Sequence, residues 1–141
     1  MATKRMSIMG TRHVISAGHY LAAHAGFGIL EAGGNAIDAG VAAGIAIGVL
    51  QTDKVNFGGV APQIIYTAKN KKVHCIDGLG VWPKMITPDY FMKRHGGKIP
   101  KGVERCVVPA APDAWLTALE HFGTMSFGDV ASRAIRFARE G

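Results

Sequence analysis

The sequence predicts a mixed helix–sheet domain of the α+β class. Three observations carry this. Residues 20–32 and 36–50 are two consecutive segments with helical signals, separated by Gly33-Gly34. Residues 61–68 and 72–77 are two short runs rich in β-branched and aromatic residues, joined by the polar turn Lys69-Asn70-Lys71, which is the pattern of a β-hairpin. Finally, 48% of the 141 residues are apolar and 18% are charged, a balance that excludes a disordered tail and suits one unit of ordinary domain size spanning residues 1–141.

Taken in order, residues 13–17 form a short apolar run expected to be a strand. The helix over residues 20–32 offers Tyr20, Phe27 and Leu30 to a core, and Gly33-Gly34 suits a left-handed C-cap. Asn35 caps the next helix, and Asp38 at its third position complements the positive end of the helix dipole. In that helix Ile37, Val41, Ile45 and Val49 recur at four-residue steps, and Gly40, Gly44 and Gly48 form a parallel ridge without side chains. Such a ridge costs about 1 kcal/mol per Gly relative to Ala. It is therefore expected where a sheet or another helix brings its backbone close. After the hairpin, Thr87 caps a short helix with Pro88 at its first position, ending near His95 before Gly96-Gly97. Val107-Val108-Pro109 is expected to be extended. Pro112 opens a helix over residues 113–122 with Trp115, Leu119 and Phe122 on one face. Ser126 caps a last helix over residues 127–140, with Asp129 in its first turn, Arg136 and Arg139 in its last, and Val130, Ala134, Phe137 and Ala138 on its apolar side.

Composition excludes several function classes. Nineteen glycines without a three-residue period exclude collagen. The net charge of +6 comes from scattered residues such as Lys69, Lys71 and Lys72, with no basic helix face and no interleaved aromatics, so no nucleic-acid partner is expected. The longest apolar run, residues 39–50, is too short for a membrane span of about 20 residues. Residues 1–9 are basic but lack a long apolar core and a small-residue cleavage site. The expected compartment is the cytoplasm, or the periplasm for a chain whose leader has been removed.

Candidate chemistry is sparse. Cys75 and Cys106 can form neither a disulfide framework nor a four-cysteine zinc site, and both are expected to be reduced, buried thiols. His74 is adjacent to Cys75 along a strand, so it faces the other side and cannot readily serve as its base. The six histidines show no metal spacing, and no metal or cofactor is expected. Gly58-Gly59 belongs to no phosphate-binding motif.

One stretch is more specific. The run Gly26-Phe27-Gly28-Ile29-Leu30-Glu31-Ala32-Gly33-Gly34-Asn35-Ala36-Ile37-Asp38-Ala39 resembles the opening of the γ-glutamyltransferase family. The resemblance continues through Gly58-Gly59, Gln63-Ile64-Ile65-Tyr66, Ile76-Asp77-Gly78, Val108-Pro109, Phe122-Gly123 and Ile135-Arg136-Phe137-Ala138-Arg139-Glu140-Gly141. It implies the N-terminal portion of an N-terminal-nucleophile hydrolase with an αββα sandwich. In that family a precursor cuts itself into a large and a small subunit. The new N-terminal Thr of the small subunit attacks an amide with its own amine as base, and water or an amine then takes the acyl group.

The same resemblance makes this chain the front of a large subunit, looking truncated at its C-terminus. Its implied partners are the remainder of that subunit, the small subunit of the same precursor and a small-molecule amide. No catalytic residue is expected here, because Thr3, Thr11, Thr52, Thr67, Thr87, Thr117 and Thr124 all fall where no nucleophile belongs. In members that act on glutathione, the Asp-Gly motif continues as Arg-Glu, and the Arg grips the glutamyl α-carboxylate. Here the run is Asp77-Gly78-Leu79-Gly80-Val81-Trp82-Pro83, with Leu79 in place of Arg and Gly80 in place of Glu. Gly78, Leu79, Gly80 and Trp82 are accordingly the substrate-pocket candidates, and a non-glutamyl acyl specificity is expected. The alternatives are a true glutathione enzyme and a non-catalytic binding module on a partial version of the fold. A binding module should be monodisperse and melt cooperatively, whereas a partial sandwich should expose sheet edges and apolar faces.

Overall fold

A computed structural model describes residues 7–141; Thr3 and most of the basic start lie outside the described residues. The elements in chain order are α1 (Tyr20–Glu31), α2 (Ala36–Leu50), β1 (Gln63–Thr67), β2 (Lys72–Ile76), α3 (Pro88–His95), a 3-10 turn (Val103–Arg105), α4 (Ala111–Phe122) and α5 (Phe127–Glu140). α2 is the central element, packed against α1, α4 and α5. β1 and β2 pair antiparallel, with Ile64 opposite Cys75, Ile65 opposite His74 and Tyr66 opposite Val73. Helices together with a hairpin bear out the α+β class.

The helix boundaries follow their caps. Thr87 Oγ1 accepts from the Tyr90 N–H, and α3 ends at the left-handed Gly96. Ser126 Oγ accepts from the Asp129 N–H to open α5. The Gly-Gly-Asn block has a fuller physical account. Gly33 takes a positive φ of 93°, and the Gly34 N–H donates back to the Ile29 carbonyl. Asn35 Oδ1 accepts from the Ile37 and Asp38 N–H groups while Asp38 Oδ2 accepts from the Asn35 N–H, a reciprocal capping box. The free ends of both side chains then reach across to the α4–α5 connection. Asn35 Nδ2 donates to the Phe122 carbonyl at 2.6 Å. Asp38 accepts from the Thr124 N–H at 3.0 Å, the Thr124 hydroxyl at 2.6 Å and the Met125 N–H at 3.3 Å. A Cβ at Gly123 would lie 2.7 Å from Asp38 Oδ1, so this junction requires glycine there.

Asp38 is the one buried charged residue among those described, at 0% exposure. Burial pushes its carboxyl up, but the hydrogen bonds from the Thr124 hydroxyl and from the Asn35, Thr124 and Met125 N–H groups outweigh that. The net result holds it below the usual carboxylate value.

Five sequence expectations are corrected. Residues 13–17 form no strand, having no partner strand among the described residues; Ile15 instead packs on the core. α1 does not turn Tyr20 and Phe27 inward: Tyr20 and Phe27 are exposed, and the buried face is Ala22, Ala25, Gly26 and Ile29. The reason is close helix packing, for a Cβ at Gly26 would lie 2.6 Å from the Ala39 carbonyl oxygen of α2. The close approach expected at the α2 glycine ridge is thus made by α1. On the ridge itself, Gly40 has nothing within 4 Å and Gly44 faces the Trp115 ring. Cys75 and Cys106 are exposed rather than buried, and neither is in a disulfide. Cys75 shares the outward face of the hairpin with Ile64, Tyr66 and Val73, which are 80%, 60% and 66% exposed, because the helices cover only the other face. On α5, Ala138 is exposed while Ala131 joins Val130 and Ala134 in the core.

Candidate functional site

The segments that carry the candidate residues converge at the start of α4. The Ala61 N–H donates to the Gly78 carbonyl at 2.9 Å, tying the turn after β2 to the entry of β1. The Val108 N–H donates to the Val81 carbonyl at 2.8 Å, and the Ala111 N–H to the Gly59 carbonyl at 3.2 Å. Backbone bonds therefore join the Gly58-Gly59 loop, the Gly78–Val81 turn and the extended Val107-Val108-Pro109 stretch. Between the last two lies a cleft of about 400 Å³, walled by Gly78, Gly80 and Val81 against Val108, Pro109 and Asp113.

The four pocket candidates divide. Gly78 and Gly80 line the cleft, both at positive φ, 58° and 85°. Leu79 does not line it; its side chain stands 47% exposed between the two glycines. Trp82 turns toward α3, with its ring 5.3 Å from that of Phe91 and its indole N–H donating to the Arg105 carbonyl at 3.5 Å. Among the described residues no cationic side chain lines the cleft, which carries the carboxylates Asp77 and Asp113.

Four of the threonines have defined local settings. Thr67 ends β1 and donates to the Lys72 carbonyl, Thr87 caps α3, Thr117 is inside α4, and Thr124 is bound to Asp38. Among the described residues no three His, Cys, Asp or Glu side chains gather as metal ligands, and no helix is long and apolar enough to cross a membrane.

Two features were not read from the sequence. One is an apolar groove of about 570 Å³ between α2 and β1, floored by Gly40 and Gly44 and bounded by Ile37, Ile65 and Trp115. The ridge of glycines was its visible signal, but the lack of a covering neighbour was not. The other is a polar cluster that clamps α3 to the 3-10 turn. Tyr90 donates to Glu104, Arg94 donates to the Tyr90 oxygen at 2.9 Å, and His95 Nε2 lies 2.7 Å from Glu104 Oε2. The bond from Tyr90, opposed by burial and helped by His95 and Arg94, holds the Glu104 carboxyl below its usual value; the same bond raises the Tyr90 phenol. The Tyr90–Arg94 spacing on one helix is legible in sequence, whereas Glu104 comes from a loop.

Comparison with known proteins places this arrangement. The family model described as Gamma-glutamyltranspeptidase matches residues 22–141. The chain is 32% identical over 136 residues to a glutathione hydrolase-like YwrD proenzyme of Bacillus subtilis, covering 96% of this chain and 26% of that protein. It is 34% identical over 142 residues to an acylase ACY 1 proenzyme of a Pseudomonas species, covering 94% and 25%. The crystal structure of Helicobacter pylori gamma-glutamyltranspeptidase superposes with a TM-score of 0.82 at 28% identity, over 94% of this chain and 39% of that one. The chain thus spans about a quarter of the length of these two curated relatives, both proenzymes. Its capped Gly-Gly-Asn junction, its hairpin and its α4–α5 pair are a portion of an N-terminal-nucleophile hydrolase fold, and the chain belongs to the γ-glutamyltranspeptidase family.

Proposed function

We propose that this chain is the N-terminal part of the large subunit of a self-cleaving amidohydrolase or acyltransferase that acts on non-glutamyl acyl amides. The observation that carries the specificity is Leu79, half-exposed on a turn where the glutathione-active pattern has Arg. An aliphatic side chain offers a carboxylate no charge and no donor, and a carboxylate left unpaired there costs about 2 kcal/mol or more. The acylase relative at 34% identity supports the same reading.

The partners are the remainder of the large subunit and the small subunit, which supplies the nucleophilic Thr. Because that Thr lies outside residues 1–141, these residues alone have no turnover. The outward apolar face of Ile64, Tyr66 and Val73 favours this reading over a free-standing binding module, since a free module would leave it in water.

The test uses the full-length precursor. Intact mass reports whether it cuts itself in two. kcat/KM is then compared for γ-glutamyl-p-nitroanilide and for hexanoyl-p-nitroanilide. The expected result is self-cleavage and at least about a tenfold preference for the aliphatic substrate, the scale set by one unpaired polar group. A preference for the γ-glutamyl substrate would refute the altered specificity.

A further inference from the structure

The Gly78-Leu79-Gly80 turn differs from an ordinary loop in how little freedom its backbone has. Both glycines lie in the left-handed region, at φ 58° and 85°. Both also meet a backbone oxygen. A Cβ at Gly78 would come closer than 3.0 Å to the Ala61 carbonyl oxygen, and one at Gly80 closer than 3.0 Å to the Val108 carbonyl oxygen. Neither oxygen can yield by a rotamer change. Each belongs to a segment already bonded to the turn, through Ala61 N–H to the Gly78 carbonyl and Val108 N–H to the Val81 carbonyl. Just beyond, Trp82 packs its ring at a tilt against Phe91 and is bonded to the Arg105 carbonyl. The turn is therefore held at both ends and pressed on two sides, with Leu79 half-exposed between its two glycines.

We propose that Gly80 is a positioning residue for acyl recognition: its close packing on Val108 fixes the turn in the path that presents Leu79 to the acyl group. The proposal rests on the reading that this turn borders the acyl pocket. It adds that specificity is set by the path of the backbone as well as by the residue at position 79. A side chain at position 80 would force the turn away from Val108 and move Leu79.

The readout is the ratio of kcat/KM for hexanoyl- over acetyl-p-nitroanilide in the full-length, processed enzyme. Leu79→Ala is expected to lower that ratio about tenfold, mostly through KM, since one lost aliphatic contact is worth roughly that much discrimination. Gly80→Ala is expected to lower it similarly while leaving Leu79 in the sequence. Gly96→Ala is the control, because Gly96 is also left-handed at φ 56° but has open space around it. It should lower the melting temperature without moving the ratio. A purely structural Gly80 would reduce the active fraction equally for both substrates, and an unmoved ratio in Gly80→Ala overturns the proposal. Should Gly80→Ala fail to process, Gly78→Ala displaces the same turn by pressing on the Ala61 carbonyl and decides it. A lowered ratio supports the role of the turn's path; an unmoved ratio overturns it. A wild-type protein that neither cuts itself nor hydrolyses any anilide removes the proposed function, whereas active enzymes with unmoved ratios remove only this inference.

Discussion

Replacing Asp38 should open the junction between α2 and the α4–α5 connection. Its carboxylate accepts from three backbone N–H groups, those of Asn35, Thr124 and Met125, and from the Thr124 hydroxyl, with Asp38 itself fully buried. Asp38→Ala leaves those donors facing a small cavity. Each unpaired buried donor costs about 1–3 kcal/mol. Thr124 is exposed enough to regain water, so the expected total is about 3–5 kcal/mol rather than the full sum. Asp38→Asn keeps one acceptor oxygen, which can serve Thr124 and Met125, but turns its NH₂ toward the Asn35 N–H. Donor then faces donor, and the expected cost is about 2–3 kcal/mol.

The assay is hydrogen exchange by mass spectrometry on the full-length protein, read in the peptide that carries Thr124 and Met125. A loss of about 3 kcal/mol corresponds to exchange faster by about a hundredfold, if local opening governs exchange. A change below about tenfold in Asp38→Ala would refute the reasoning, since it would put the network's contribution under about 1.4 kcal/mol. The pH dependence has a definite sign. The folded carboxyl lies below its unfolded value, so its contribution is complete above the unfolded pKa of about 3.9 and is lost as pH falls through the folded value. Protection of this peptide should therefore fall in acid for the wild type and fall less steeply for Asp38→Asn.

Three further outcomes are expected. Gly123→Ala places a Cβ 2.7 Å from both Asp38 Oδ1 and the Leu119 carbonyl oxygen, and should cost about 1–3 kcal/mol in urea unfolding of the full-length protein. Trp115→Ala removes a buried ring that lies over Gly44 and against Phe57, and should cost about 3–5 kcal/mol in the same measurement. Ile64→Lys with Val73→Lys charges the outward hairpin face. The pair should lower the fraction of full-length precursor that cuts itself, measured by intact mass, while making residues 1–141 alone more monodisperse in size-exclusion chromatography. Unchanged processing would mean that this face meets nothing in the whole protein.

Local signals were sufficient for most elements. Asn35, Thr87 and Ser126 each cap the helix they were expected to cap, because a capping side chain bonds only to the next few N–H groups and needs no tertiary information. The hairpin follows from its turn for the same reason. What failed depended on partners distant in sequence. The run at residues 13–17 has strand composition, but a strand exists only where another pairs with it. The buried face of α1 was misjudged because large apolar residues usually mark the inside, whereas here Ala22, Ala25 and Gly26 bring α1 close to α2 and push Tyr20 and Phe27 out. Asp38 was read as a dipole partner. Its second role, joining residues 35–38 to residues 122–125, spans more than eighty positions and leaves no local trace.

The candidate site divides along the same line. That Leu79 has no charge is a property of one residue, so the proposed absence of a carboxylate grip is legible without coordinates. Where Leu79 stands depends on Gly80 against Val108 and Gly78 against Ala61, contacts that join the turn to segments on either side of it in the chain. Sequence reading treats Gly80 as an absent Glu; the structure treats it as a contact that only glycine can make. The two descriptions predict different engineering. If position 79 alone set specificity, Leu79→Arg would be enough to gain γ-glutamyl hydrolysis. If the path of the turn matters as well, Leu79→Arg places a guanidinium on a backbone fitted to a different acyl group. Adding Gly80→Glu would then worsen the fit by driving a Cβ into the Val108 carbonyl. The order of the two variants in γ-glutamyl kcat/KM, single above double, is the signature of a turn whose shape and sequence changed together.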